Sequence, residues 1–325
     1  MGAVSLLASS SWAQPRQPKQ SERFAAALLS NALNAEDFPE ALAVSFVTAP
    51  NAHTQIDPAQ DPNPEELKRR GVAVQLRVDV GPPPASLLVW VVNPASGSGP
   101  PKGTILCLHG VCGSRRHGLG LARQMAKRGY YGVTVDMRGH GRSTGTWMTY
   151  GVLDSRDLVQ VLDALLAKAL VREPIGVYGI SYGAATAHQL AAIDPRVKAV
   201  VSCSAFSSLR EVVPVYAWKY LPMITVTLTP EELRGIVGRA GELGGFDPDD
   251  ASPVKAIQRH TAATLLVHGT HDTHIPFSHA QALHAAAPGH STLHPVQGGT
   301  HRHATGKAAR REAVAWFGKH LGATE

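Results

Sequence analysis

Residues 174–201 leave this chain few ways to fold. Pro174-Ile175-Gly176-Val177-Tyr178 is a short apolar run rich in β-branched and aromatic residues, and 184–193 is almost all helix formers. Between them stands Gly179-Ile180-Ser181-Tyr182-Gly183, where small residues two before and two after the serine let the flanking backbone pass close together in a sharp turn. Asp194-Pro195 then stops the helix, because a residue before proline is pushed out of the α region, and another apolar run follows at 197–201. Strand, tight turn, helix, strand is a parallel βαβ unit. It sets Ser181 at the carboxyl end of the unit's first strand, where open α/β sheets gather their chemistry.

The rest of the chain continues that alternation. Residues 72–78 alternate with period two, 87–92 form a second strand, and Pro82-Pro83-Pro84 turns between them, which suits an antiparallel start to the sheet. Strands at 103–108 and 131–135 enclose a helix at about 118–128; helix 154–168, strand 174–178, helix 182–193, strand 197–202, strand 263–268, helix 276–287, strand 292–296 and helix 304–321 follow. This pattern predicts an α/β class with a mostly parallel eight-stranded sheet, covered by helices on both faces. Residues 204–262 break it with an aromatic helix-like piece at 215–220, an acidic-start helix at Pro230-Glu231-Glu232-Leu233 and Gly/Asp turns over 241–250. An insertion of that length predicts a small helical cap over the site. Ahead of the sheet, residues 21–69 read as an extension, helical or irregular over 21–47 and a proline-rich linker over 48–64, leaving 70–325 as the main domain.

Composition excludes several classes. A chain of 325 residues, 44% hydrophobic and 17% charged, buries a large core, and it contains no stretch of about 18 uninterrupted apolar residues that would span a membrane. The net charge of +6 is spread out, with only short groups such as Lys68-Arg69-Arg70 and Arg115-Arg116, so it reads as a solvated basic surface and not a nucleic-acid footprint. Residues 1–13 carry a weak apolar centre ending in Ser11-Trp12-Ala13, a small-x-small pattern without a basic start. That points to a periplasmic or secreted protein, the alternative being a disordered cytosolic tail over 1–20. Cys107 and Cys203 fall on strands flanking the serine strand, about 10 Å apart, so no disulfide is expected. Nothing in the sequence sets an oligomeric state.

A serine hydroxyl is a poor nucleophile until a base removes its proton, so an elbow serine predicts an acid and then a histidine downstream. Asp272 lies in His268-Gly269-Thr270-His271-Asp272, beyond an apolar strand, and His301 lies in Gly298-Gly299-Thr300-His301-Arg302-His303, after the last strand. His303 shares that loop and is the alternative base. Asp247, Asp249 and Asp250 are rival acids that read better as turn and cap residues, and His294 lies inside a strand. The Tyr182 amide, at a helix start, is one expected oxyanion donor. The other is the Val111 amide, with Cys112 as the alternative; His109 reads as structural. His268, His271, His274 and His279 straddle a strand end, a turn and a helix without the fixed spacing of metal ligands, so no metal is expected. Trp147, Tyr150, Tyr216, Trp218, Tyr220 and Met223 are candidates to line an apolar acyl or aromatic pocket, with core packing the competing role.

On these residues the chain resembles the α/β-hydrolase superfamily over about 70–322. The motifs are His109-Gly110, Asp136 to Ser143, Gly179 to Gly183, Gly269-Thr270-His271-Asp272 with Ile275-Pro276, and Gly299-Thr300-His301, in that order. The serine pentapeptide and Ala251-Ser252-Pro253 are similar to prolyl-oligopeptidase-like and dienelactone-hydrolase-like members. Two features depart from those members: too few residues precede the first strand for a propeller, and Ser181 stands where dienelactone hydrolases usually carry cysteine. The resemblance implies an α/β-hydrolase fold with a cap, and a serine carboxylic ester hydrolase that takes a small-molecule ester through an acyl-enzyme without a cofactor. A peptidase or amidase with the same triad is the alternative, and a non-catalytic hydrolase-fold binding protein the remaining one.

Overall fold

The period-two run is a strand, β1 (Val74–Val80), turned back on β2 (Ala85–Val92) so that Val74 faces Val91 and Val80 faces Ala85. The computed structural model describes residues 38–50, 61–220 and 228–322. The export-like start, the middle of the expected linker and Met223 lie outside them. Six more strands follow: β3 (Thr104–Leu108), β4 (Tyr131–Val135), β5 (Ile175–Ile180), β6 (Val197–Cys203), β7 (Ala263–Gly269) and β8 (Ser291–Val296). Their order across the sheet is β1-β2-β4-β3-β5-β6-β7-β8; β2 is antiparallel to both neighbours, and β4 onward is parallel. The eight-stranded, mostly parallel sheet is the one the alternation predicted.

Successive strand residues face opposite sides, and each side meets helices. Leu106, Leu108, Val133 and Val177 pack with Leu158, Val161 and Leu165 of one helix (Val152–Ala167). Ile105, Cys107, Tyr178 and Val201 pack on the other side with Leu121 and Met125 of Leu119–Ala126 and Phe317 of Lys307–Leu321. Cys107, Cys112 and Cys203 are free, and β3 and β6 flank β5 as expected. No helix among the described residues is long and apolar enough to cross a membrane.

Two helices lie ahead of the sheet, one within the stretch read as helical or irregular and one just past the proline-rich stretch. A short helix at Pro64–Arg69 closes it, started by Asn63, whose side chain accepts from the Glu66 amide at 3.0 Å. Asp61 ion-pairs with Arg77 at 2.9 Å and with Arg142, which fastens this stretch to the sheet. Further back, the helix Phe38–Val47 places Leu42, Ala43 and Val47 in the same core as Leu106. Met148 donates to the Val47 carbonyl at 2.6 Å and Ala49 to Thr146 at 2.8 Å.

Among the described residues between β6 and β7 the alternation gives way to three helices, Leu209–Tyr220, Pro230–Gly244 and Pro253–Ile257. The second starts at a reciprocal box: the Glu232 amide donates to Thr229 Oγ1 at 3.2 Å and the Thr229 amide to Glu232 Oε2 at 2.7 Å. Val212 and Val213 of the first helix meet Ile236, Val237 and Ala240 of the second in the main core. Arg210 clasps Asp249 at 2.6 Å, and Asp247 Oδ1 accepts from the Asp249 amide at 2.8 Å, so the rival acids serve turns here.

Three histidine rings pack together: His188 lies 5.9 Å from His260, and His260 lies 5.3 Å from His290. His188 Nε2 meets Ser202 Oγ at 2.9 Å, but His188 Nδ1, both nitrogens of His260 and His290 Nε2 are buried without a partner. Burial pushes His260 down to about 4 and, with His260 beside it, His188 well below the usual imidazole range. The unfolded chain takes up these protons near pH 6.5 and the folded cluster refuses them. Their stability is therefore full above that pH and drains as pH falls. His260→Phe should flatten the loss between about pH 7 and about pH 5 by about 1–2 kcal/mol, read from urea midpoints at each pH. Equal slopes in both proteins would mean the cluster does not carry the pH dependence.

Candidate active site

Ser181 sits between β5 and the helix Tyr182–Ile193 with φ 54° and ψ −115°, a conformation that a side chain rarely adopts and that stores about 1–3 kcal/mol. Crowding enforces it. A Cβ at Gly179 would stand 2.3 Å from the Gly183 carbonyl oxygen, and one at Gly183 would stand 2.5 Å from that of His109. The loop after β3 runs against the serine, since a Cβ on Gly110 would lie 3.4 Å from Ser181 Cβ.

That loop is held by groups with no exposed role. His109 Nδ1 donates to the Gly110 carbonyl at 2.8 Å, and its Nε2 accepts from the Met137 amide at 3.1 Å, which fixes the neutral tautomer. Burial, with His140 close by, pushes its pKa well below the usual range, so the ring stays neutral and structural. The buried Asp136 carboxylate accepts from the amides of Arg115 at 2.6 Å and Arg142 at 2.8 Å and pairs with the Arg115 guanidinium, which lies 4.3 Å from the centre of the Trp90 ring. Cys112 has φ 56°, and burial pushes its thiol up to about 11, so it is protonated near neutral pH. Val111 is 41% exposed beside it. The Tyr182 amide begins a helix and so has no intrahelical partner. Its hydroxyl, buried below the turn, donates to Asp154 Oδ2 at 2.8 Å, an oxygen that also accepts from Thr149 Oγ1 at 2.9 Å.

Asp272 and His301 meet across two neighbouring loops. A Cβ at Gly269 would stand 2.3 Å from the Gly299 oxygen, and the His271 amide donates to that carbonyl at 2.8 Å, so the loops after β7 and β8 are pressed together. His301 Nδ1 donates to Asp272 Oδ2 at 2.7 Å, while Oδ1 accepts from the amides of His274 at 2.9 Å and Ile275 at 3.0 Å. Burial opposes ionisation of Asp272, but hydrogen bonds from His268 and His301 outweigh it and hold the carboxyl far below its usual range. His303 is turned to its own loop, accepting from the Thr300 amide at 3.0 Å. Ser181, Asp272 and His301 thus stand at the carboxyl ends of β5, β7 and β8 on one edge of the sheet. Among the described residues the Ser181 hydroxyl takes no hydrogen bond, so its side of the arrangement rests on placement.

Three residues that the sequence offered only as parts of a histidine cluster or a helix also belong to this region. His274 stacks on His301 with ring centres 5.3 Å apart. Lys219 donates to the Thr273 carbonyl at 3.0 Å and to its hydroxyl at 2.8 Å, joining the helix Leu209–Tyr220 to the acid loop. His268 lies 3.4 Å from Asp272 Oδ2. The available signal was spacing, four residues before Asp272 and two after it. Of the expected pocket residues, Tyr150 is buried and donates to the Phe46 carbonyl at 2.5 Å, so it packs in the core. Trp147 is bridged to Thr48 and packs with Tyr216 against the main core, while Trp218 is 64% exposed. A cavity of about 350 Å³, lined by Ser207, Glu211, Val215, Pro276, Ser278 and His279, opens between that helix and the one at Phe277–Ala286. No group of three or more His, Cys, Asp or Glu among the described residues is arranged to hold a metal.

Comparison with known proteins agrees with this geometry at the level of fold and family. The model of the X-Pro dipeptidyl-peptidase (S15) family matches residues 10–217, and that of the prolyl oligopeptidase family matches 121–324. The uncharacterized protein YqkD of Bacillus subtilis (strain 168) is 27% identical over 208 residues, 61% of this chain and 64% of that protein, so the match spans less than two thirds of its length. The Pyrococcus furiosus esterase Pf2001 superposes with a TM-score of 0.59 at 20% identity, covering 79% of this chain and 94% of its own. The 2,6-dihydroxy-pseudo-oxynicotine hydrolase superposes at 0.60 with 19% identity, covering 95% and 91%. At such identities the two solved structures speak for the fold alone.

The crowding at the turn gives a test with two signs. Gly183→Ala should destabilise the protein by about 1–3 kcal/mol, because its Cβ meets backbone that cannot retreat. Gly238→Ala, in the helix Pro230–Gly244 with nothing within 4 Å of the new Cβ, should stabilise by up to about 1 kcal/mol. Denaturant midpoints of the two variants measure both.

Proposed function

The chain belongs to the prolyl-oligopeptidase-like branch of the α/β-hydrolase superfamily, and on that footing we propose that it is a serine hydrolase that cleaves carboxylic esters through an acyl-enzyme. The observation that carries the reading is the 2.7 Å bond between His301 Nδ1 and Asp272, on the same sheet edge as the strained Ser181. Ser181 Oγ attacks the ester carbonyl and passes its proton to His301 Nε2, while Asp272 keeps Nδ1 protonated and stabilises the imidazolium. The amides of Tyr182 and Val111 receive the developing oxyanion, each worth about 3–4 kcal/mol in such sites. His301 returns the proton to the departing alcohol, then takes one from the water that releases the acid and restores Ser181. No step needs a cofactor. Residues 204–262 act as a cap on a domain spanning 70–325, with Trp147, Tyr216 and Trp218 meeting apolar parts of a small-molecule substrate.

A second reading, a peptidase or amidase with the same triad, is favoured by the names of the two matching family models. Leaving-group chemistry separates them, because an amine must be protonated as it departs. The chain should turn over p-nitrophenyl butyrate faster than the matched anilide; the reverse order would make it a peptidase-type enzyme. A fluorophosphonate probe should label the protein and fail to label Ser181→Ala, while His301→Ala and Asp272→Asn should each lower kcat by about 10⁴-fold. Labelling that survives Ser181→Ala would remove that residue as nucleophile, and a loss with His303→Ala but not His301→Ala would move the base.

A further inference from the structure

His268 occupies a place that packing alone does not explain. It is the penultimate residue of β7, 1% exposed, with the Phe277 ring edge-on at 6.0 Å. Its Nε2 stands 2.8 Å from the Ile275 carbonyl oxygen and 3.4 Å from Asp272 Oδ2. Both neighbours accept, so Nε2 carries a hydrogen in either charge state of the ring. The bond to Ile275 closes the loop that presents Asp272. The same hydrogen leans towards the one carboxylate oxygen that His301 uses, while the other oxygen is taken by the His274 and Ile275 amides.

We propose that His268 is a positioning residue of the Asp272–His301 pair: its Nε2 hydrogen fixes the rotation of the carboxylate and shares the charge on Oδ2, and so sets how basic His301 is. This rests on the reading of Ser181, His301 and Asp272 as the catalytic group. Other charged or titratable groups around the pair are His274 stacked on His301, Lys219 from the helix Leu209–Tyr220, His279 from the helix Phe277–Ala286, and Glu211 facing His279 at 3.9 Å. None of these approaches Oδ2 in the way His268 does. Without the His268 hydrogen, the negative charge on Oδ2 is offered to His301 alone. The imidazolium is then held more tightly, and the base frees itself only at higher pH.

The test compares His268→Gln, whose amide nitrogen reaches about where Nε2 lies, with His268→Met, which has the length but no donor. With p-nitrophenyl butyrate, His268→Met should lose kcat by about 10- to 100-fold at nearly unchanged KM, with the acid limb of kcat/KM moved to higher pH. His268→Gln should recover most of kcat and the wild-type limb. Equal impairment of the two, no impairment in either, or a limb that stays put in His268→Met would overturn the proposal and leave His268 as packing. If His268→Met does not fold, His268→Asn, whose amide stops short near the Nδ1 position, takes its place with the same expected contrast. Fluorophosphonate labelling of the wild type separates the two levels: labelling absent at Ser181 ends the triad reading and this inference with it, and labelling intact leaves the variants to decide on His268 alone.

Discussion

Everything at the site follows from a lack of room between β5 and the helix that begins at Tyr182. The Gly179 and Gly183 backbones and the His109 carbonyl come so close that no Cβ fits, and the chain turns only by driving Ser181 to φ 54°. A strain of about 1–3 kcal/mol persists only where the surroundings over-determine it. Here they do. Two apolar layers clamp the sheet, and the Tyr182 hydroxyl is tied to Asp154 under the turn. The outcome is a serine held in a strained turn between the end of β5 and a helix start.

The electrostatics of the site are arranged in the same manner, by filling every partner position around the groups meant to hold still. Asp272 is surrounded by two amides and two imidazoles, so its charge is set before any substrate arrives. His109 is the opposite case, a ring kept neutral so that it can accept from Met137 and donate to Gly110 at once. Arg115 and Asp136 lock the next loop.

Much of this was legible in the chain. Periodicity and glycine placement foretold the sheet and the elbow, because each strand and turn is decided by residues within a few positions of one another. Which of His301 and His303 lies beside Asp272 needed the loop conformation, in which His303 folds back on Thr300 and His301 meets the carboxylate. The helix Pro64–Arg69 was readable from Asn63-Pro64-Glu65-Glu66, a capping residue followed by proline and two acids at a helix start, just past the stretch read as linker. Burial of Leu42 and Val47 and the placement of Lys219 beside Thr273 were not readable, since they join segments tens of residues apart through contacts that no local pattern encodes.

The Lys219 contact changes how the region above the site works. Its ammonium grips the residue that follows Asp272, so the helix Leu209–Tyr220 is tied directly to the acid loop. Anything that wedges that helix outward pulls on Thr273 and, through it, on the carboxylate. On the proposed reading of Asp272 and His301 as acid and base, a molecule that displaced this helix would be penalised in turnover more than in affinity, because it would draw the acid loop out of line.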